Sequence, residues 1–397
     1  MPMLLTGVAT SQSVVDNSQS QPSAVTTSQT LNVTDVSGAT TGVTDSTGNT
    51  LTGAVTSGTL AVTSSQSLTG NVTSSSQLNV VTYTGSATLN TASTGNTSDV
   101  ETVTGGGAVT GTLTQTVGAV NVLATNSVSA GGAQTQAGSI STGTQAIANS
   151  QGFTTDSSPV TVTTNQSSAA ITDAEDGGTL TYTSGTAAFS AAAVSNNLTG
   201  SGSGGASQTI NATQTDTGAR TQAGEYAYFG NAQTPQAAST ASDNNITISN
   251  DGGSLNVVDS QTNTAYTQAE TQLSSYEFGA AQASAYAVGN SVLAANAGPY
   301  TGVDNTQNNS GGVVATSSFT GNNGYDTASS ATAMGNAATG YACSDCGGVI
   351  SVSNTQINTG GVSATSGIDI AASNRSVTGT ASAVGNTATF YVSKPSH

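Results

Sequence analysis

Ala283-Ser-Ala-Tyr-Ala-Val-Gly-Asn290 is the stretch that decides how this chain folds. Its ending returns as Ala333-Met-Gly-Asn336 and Ala383-Val-Gly-Asn386, with small residues at every second place ahead of it in each copy. Weaker copies read Tyr228-Phe-Gly-Asn231, Ala193-Val-Ser-Asn196 and Ala146-Ile-Ala-Asn149, and Ser93-Thr-Gly-Asn96 and Ser46-Thr-Gly-Asn49 carry the theme toward the N-terminus. The marker asparagines are therefore Asn49, Asn96, Asn149, Asn196, Asn231, Asn290, Asn336 and Asn386, spaced by 47, 53, 47, 35, 59, 46 and 50 residues. Such regularity marks a repeat architecture, and alternation of small residues with period 2 marks strands.

Between the copies lies a second strand theme, as in Val349-Ile-Ser-Val-Ser-Asn354, Leu255-Asn-Val-Val-Asp259 and Val120-Asn-Val-Leu123. The expectation is an all-β, single-chain parallel β-helix or β-solenoid, built from about eight units of roughly 48 residues with two coils each. Stacking is obligatory, because one coil cannot bury its inner face alone, and stacked Asn side chains can form amide ladders at a corner. A propeller has units of similar length, but its blades carry periodic aromatic signatures and this chain has no Trp. Residues 1–30 are expected as an N-terminal cap or extended segment and 31–397 as a continuous solenoid, with a flexible break at 200–205, Gly-Ser-Gly-Ser-Gly-Gly.

Composition narrows the function. Charged residues make up 6% of the chain against about 25% in ordinary globular proteins. Three basic side chains against 20 acidic ones give a net charge of −17, which excludes nucleic-acid binding by phosphate neutralisation and a polybasic membrane patch. No run approaches the roughly 18 apolar residues of a transmembrane segment. Disorder is disfavoured because 35% of residues are hydrophobic and recur in alternating strings with Thr. Met1-Pro-Met-Leu-Leu lacks a secretory n-region, so a removed signal, a different start and another export route all stay open.

Little catalytic chemistry is available. His397 is the only imidazole, which excludes a His base or a Cys–His pair. Asp99 with Glu101 and the cluster Asp173, Glu175 and Asp176 read as solvated turn residues; as a carboxylate pair they would suit a polysaccharide-acting β-helix enzyme. No cofactor is expected, and if a metal binds, Asp173, Glu175 and Asp176 are the calcium candidates. Cys343 and Cys346 favour a short-loop disulfide over free thiols, fitting an oxidising compartment. The C-terminal aromatics, Tyr226, Tyr228, Phe229, Tyr266, Tyr276, Phe278 and Tyr286 among them, read as core or inter-coil packing or, more sharply, as a sugar-contacting stripe.

The copies at Ala287, Ala333 and Ala383, with their preceding alanines, resemble the repeats of surface proteins that anchor the polysaccharide holdfast of stalked alphaproteobacteria. Size and Ser/Thr/Asn/Gly composition are most similar to the D-type holdfast-attachment family. That resemblance implies a non-enzymatic, extracellular, outer-membrane-associated protein that self-associates into fibres, binds surface polysaccharide and works with other envelope anchor proteins. A phage tail fibre or spike shares the composition and is the rival reading.

Overall fold

The computed structural model describes residues 12–36, 38–56, 58–83, 85–102, 107–130, 138–343 and 347–393, and among these every regular element is a strand. Eight coils follow one another. The first three each use three strands: β1 (Gln12–Gln21), β2 (Val25–Val36) and β3 (Ala39–Val55); β4 (Thr59–Leu68), β5 (Val72–Tyr83) and β6 (Ser86–Thr102); β7 (Val109–Val117), β8 (Asn121–Ala130) and β9 (Ser139–Asp156). The last five use one short and one long strand: β10 (Val160–Ser168) and β11 (Ile171–Ser203); β12 (Gln208–Asp216) and β13 (Arg220–Asn250); β14 (Ser254–Asn263) and β15 (Tyr266–Asn296); β16 (Tyr300–Asn309) and β17 (Val313–Cys343); β18 (Val349–Asn358) and β19 (Val362–Ser393). In these coils the second and third faces merge into one strand that bends between them.

Every pairing is parallel and joins one coil to the next. Gln12 pairs Thr59, Val25 pairs Val72 and Ala39 pairs Ser86, a constant offset of one repeat. One unit of about 48 residues is thus a single coil, not the two coils expected; the two strand themes are different faces of the same coil. At one strand spacing per coil the eight-coil stack is about 38 Å long. From Gln12 onward the segment expected as a cap already belongs to the first coil. Across the 200–205 stretch β11 runs to Ser203, and Gly204 and Gly205 turn the corner with φ of 72° and 84°, the left-handed region that Gly enters without a Cβ penalty.

Alternation along each strand sends half of the side chains inward, in columns that run up the stack. The core divides into three apolar columns. One joins the end of the second face to the start of the third and holds Leu78, Leu89, Phe189, Phe229, Phe278 and Phe319. A narrow middle one is built from Ala146, Ala193, Ala241, Ala287 and Ala333 facing Val72, Val122 and Ala174, and a third holds Leu60, Phe153, Leu198, Ile210, Ile246 and Leu255. The alternating alanines of the repeat are therefore the residues that let two faces approach closely. Polar side chains fill the two partitions between these columns.

Candidate functional site

The first partition is made of two amide columns. Asn49, Asn96, Asn149, Asn196, Asn244, Asn290, Asn336 and Asn386 stack, and each Nδ2 donates to the Oδ1 of the Asn in the next coil at 2.7–2.9 Å. Opposite them stand Gln19, Gln66, Gln115, Gln166, Gln214, Gln261, Gln307 and Gln356, whose Nε2 groups donate backward, to the Oε1 of the preceding coil, at 2.7–3.1 Å. The two ladders run antiparallel, so their side-chain dipoles oppose. Each also crosses the core: Asn96 Nδ2 donates to the Thr116 carbonyl, one residue after Gln115, and Gln66 Nε2 donates to the Thr97 carbonyl, one residue after Asn96. Both amide hydrogens are used, which is what a buried amide requires.

At each Asn the in–out alternation breaks, with two successive residues facing inward, as at Ala148 and Asn149. The strand bends there, and in seven of the eight coils a small residue precedes the Asn; at Gly95 a Cβ would run into the Ala148 carbonyl and the Leu68 side chain. One expected marker belongs elsewhere. Asn231 lies on the exposed surface, where its Nδ2 donates to Glu277 Oε2 at 3.1 Å, and the fifth member of the column is Asn244. Asn244 is preceded by Ser242 and Asp243 instead of apolar-Gly, so the motif hid it. The even steps from Asn196 to Asn244 to Asn290 could have revealed it, as could the Gln column, each member of which precedes the next Asn by about thirty residues.

The second partition is hydroxyl-rich and holds two buried acids, Asp176 and Glu225. Thr44 with Ser76, Ser239 with Thr271, and Ser317 with Ser329 bridge the faces at 2.5, 2.7 and 2.9 Å. In the fourth coil Asp176 takes this place, accepting from the Thr142 hydroxyl at 2.6 Å. Burial pushes its carboxyl up to about 7, against those hydrogen bonds. Glu225 stacks on it in register, fully buried, and is raised well above the usual range by burial and then by Asp176. A second acidic pair, Asp216 and Asp243, lies at the first corner, where Asn263 Nδ2 donates to Asp243 Oδ2 at 2.5 Å and the Thr267 hydroxyl also donates to it. Burial raises both of these carboxyls.

The expected calcium cluster does not converge. Strand alternation puts Asp173 and Glu175 on the outer side of β11 and Asp176 in the core, and Asp173 is taken by Arg220 Nη2 at 2.5 Å. No group of three or more metal-ligating side chains occurs among the described residues. Asp99 and Glu101 point outward from β6. Cys343 is buried and disulfide-bonded, while Cys346, the chain's other cysteine, and His397 lie outside the described residues.

Aromatic residues separate by type. Five of the six Phe are buried, with Phe189–Phe229 and Phe278–Phe319 edge to face at 5.8 and 4.9 Å. Tyr182, Tyr228, Tyr266, Tyr276, Tyr286, Tyr300, Tyr325 and Tyr391 are exposed, which suits a ring with a hydroxyl that seeks water. Tyr182 and Tyr325 flank a shallow groove of about 220 Å³ over the bend between the second and third faces, whose floor includes Asn231, Gln233, Glu277 and Phe278. Aromatic faces beside amide and carboxylate groups can stack on sugar rings and hydrogen-bond their hydroxyls.

A family model described as Holdfast attachment protein D matches the chain over residues 3–105 and 34–312. No curated protein and no solved structure matches it significantly.

Proposed function

Because the chain belongs to the holdfast attachment protein D family, we propose that it is a polymerising structural anchor that holds an adhesive polysaccharide to the cell envelope. It acts as a rod and performs no catalysis. The observation that carries this reading is the unbroken parallel pairing of eight coils, reinforced inside by two amide ladders. Tension along the stack meets the hydrogen bonds of all three faces at each junction together. Buried ladders keep water from competing for them. The outer surface is rich in hydroxyls and, from the fourth coil onward, in tyrosines, which supports polysaccharide contact. We place the anchor outside the cell, associated with the outer membrane and with other envelope anchor proteins.

The test has a cellular and a molecular arm. Cells lacking the protein should shed adhesive polysaccharide into the medium, and the wild-type chain should restore retention. The triple variant Tyr182→Ala, Tyr228→Ala, Tyr325→Ala should restore it severalfold less well while melting like wild type. Full retention in cells without the chain would sink the reading.

A further inference from the structure

We infer that copies of this chain join head to tail, the eighth coil of one seating on the first coil of the next in the strand register used inside each molecule. This rests on the polymerising reading above and gives it a polarity and a joint. Among the described residues no strand pairs with the outer edge of the first coil or of the eighth. Open edges of this kind are templates for further pairing, and a heterologous contact repeats into a filament.

The two ends match in length and in hydrogen-bond sense. β1 and β18 each have ten residues, and their ladder glutamines, Gln19 and Gln356, both stand eighth. Val25 and Val362 open the second face, and Asn49 and Asn386 each follow 24 residues later. At the first coil the Asn ladder ends on an acceptor, Asn49 Oδ1, since Asn49 donates forward to Asn96. At the eighth it ends on a donor, Asn386 Nδ2, which is exposed although the Asn of coils two through seven are fully buried. The Gln ladder is reversed: Gln19 offers Nε2 at the first coil and Gln356 offers Oε1 at the eighth. Donor therefore meets acceptor in both ladders only when tail faces head; two heads would set Asn acceptor on Asn acceptor.

Shape agrees with hydrogen bonding. Within the molecule, large rings in one column sit over glycines of the neighbouring coil: Phe153 over Gly200, and Phe390 over Gly340, where a Cβ would meet each ring. Gly53 occupies that column in the first coil, and nothing lies within 4 Å of where its Cβ would be. The outer side of Phe390, only partly buried, fits this vacancy of a second copy, and Ile368 falls over Leu31 in the same register.

The experiment uses the full chain in three forms, with electron microscopy and analytical ultracentrifugation. Gly53→Leu fills the head, where its own fold leaves room, and Asn386→Asp puts a carboxylate against the Asn49 acceptor. Wild type should form rods whose lengths are multiples of one molecule. Each variant alone should stay single, with a wild-type circular dichroism spectrum. An equimolar mixture, in which one variant keeps a sound tail and the other a sound head, should give two-chain rods and nothing longer. Long rods from either variant, an unreactive mixture, or wild type that stays single would each overturn the joint. Single wild-type rods that still retain polysaccharide would overturn the joint and leave the anchor reading standing, whereas stacking without retention would do the reverse.

Discussion

The amide partition and the hydroxyl partition cross the same core, yet one is invariant through all eight coils and the other changes residue from coil to coil. An amide stacked in register presents a donor on one side and an acceptor on the other, so each coil dictates what the next must supply. A Ser or Thr hydroxyl rotates to suit its neighbour and makes no such demand. That freedom lets the second partition hold Asn126, Asp176 and Glu225 in three successive coils, although the Glu225 carboxyl has no side-chain partner. Regularity in this protein follows the geometry of the side chain more than its polarity.

The sharpest way to break this contrast is to delete one rung from each partition. Asn196→Ala strands the buried Asn149 donor and Asn244 acceptor together with the half-buried Thr215 carbonyl. With about 1–3 kcal/mol for each orphaned group, the loss should be about 5 kcal/mol. Ser317→Ala removes one end of a single hydroxyl pair and should cost about 1 kcal/mol. Denaturant unfolding of the two variants measures both, and equal losses would refute the contrast.

Acid in the hydroxyl partition supplies the next effect. The folded carboxyl of Asp176 titrates near 7 against an ordinary 3.8, so the folded state binds the proton more tightly than the unfolded one. Its contribution is fully present below about pH 4 and is lost as pH rises toward 7. Asp176→Asn keeps an acceptor for the Thr142 hydroxyl. It should match wild type at pH 4 and exceed it at pH 7 by on the order of 3 kcal/mol. Melting curves at the two pH values check this, and a difference that does not change with pH would remove the buried charge from the account.

Much of this frame was legible in the sequence, because a solenoid repeats its local signals. The clean copies before Asn290, Asn336 and Asn386 disclosed the period, the strands and seven of the eight stacked asparagines. The coil length was not legible: two strand themes per repeat look the same whether they are two faces or two coils, and only the pairing of Gln12 with Thr59 separates these. Asn244 was hidden by Asp243, a charged residue where the motif expects Gly. The Gln column was visible as spacing but lacked a composite motif, since its flanks, such as Ser65 and Ser67 or Thr114 and Thr116, resemble the rest of the chain. Asp173, Glu175 and Asp176 looked like one cluster because sequence distance ignores the alternation that sends neighbours to opposite sides of a strand.

The smallest effect isolates why burial, more than hydrogen-bond geometry, makes the amide columns matter. On the outer surface Asn79 Nδ2 donates to Asn32 Oδ1 at 2.8 Å, the same length as the buried rung from Asn49 to Asn96. Water can replace either partner outside, so the exposed bond exchanges one good contact for another. Inside, the alternative to the bond is an orphaned amide in a low-dielectric core. Asn79→Ala should therefore change stability by no more than about 0.5 kcal/mol, the usual range for a surface substitution. Should it instead cost as much as Asn196→Ala in the same denaturant titration, the ladders would act through geometry alone and the distinction between inner and outer columns would fall.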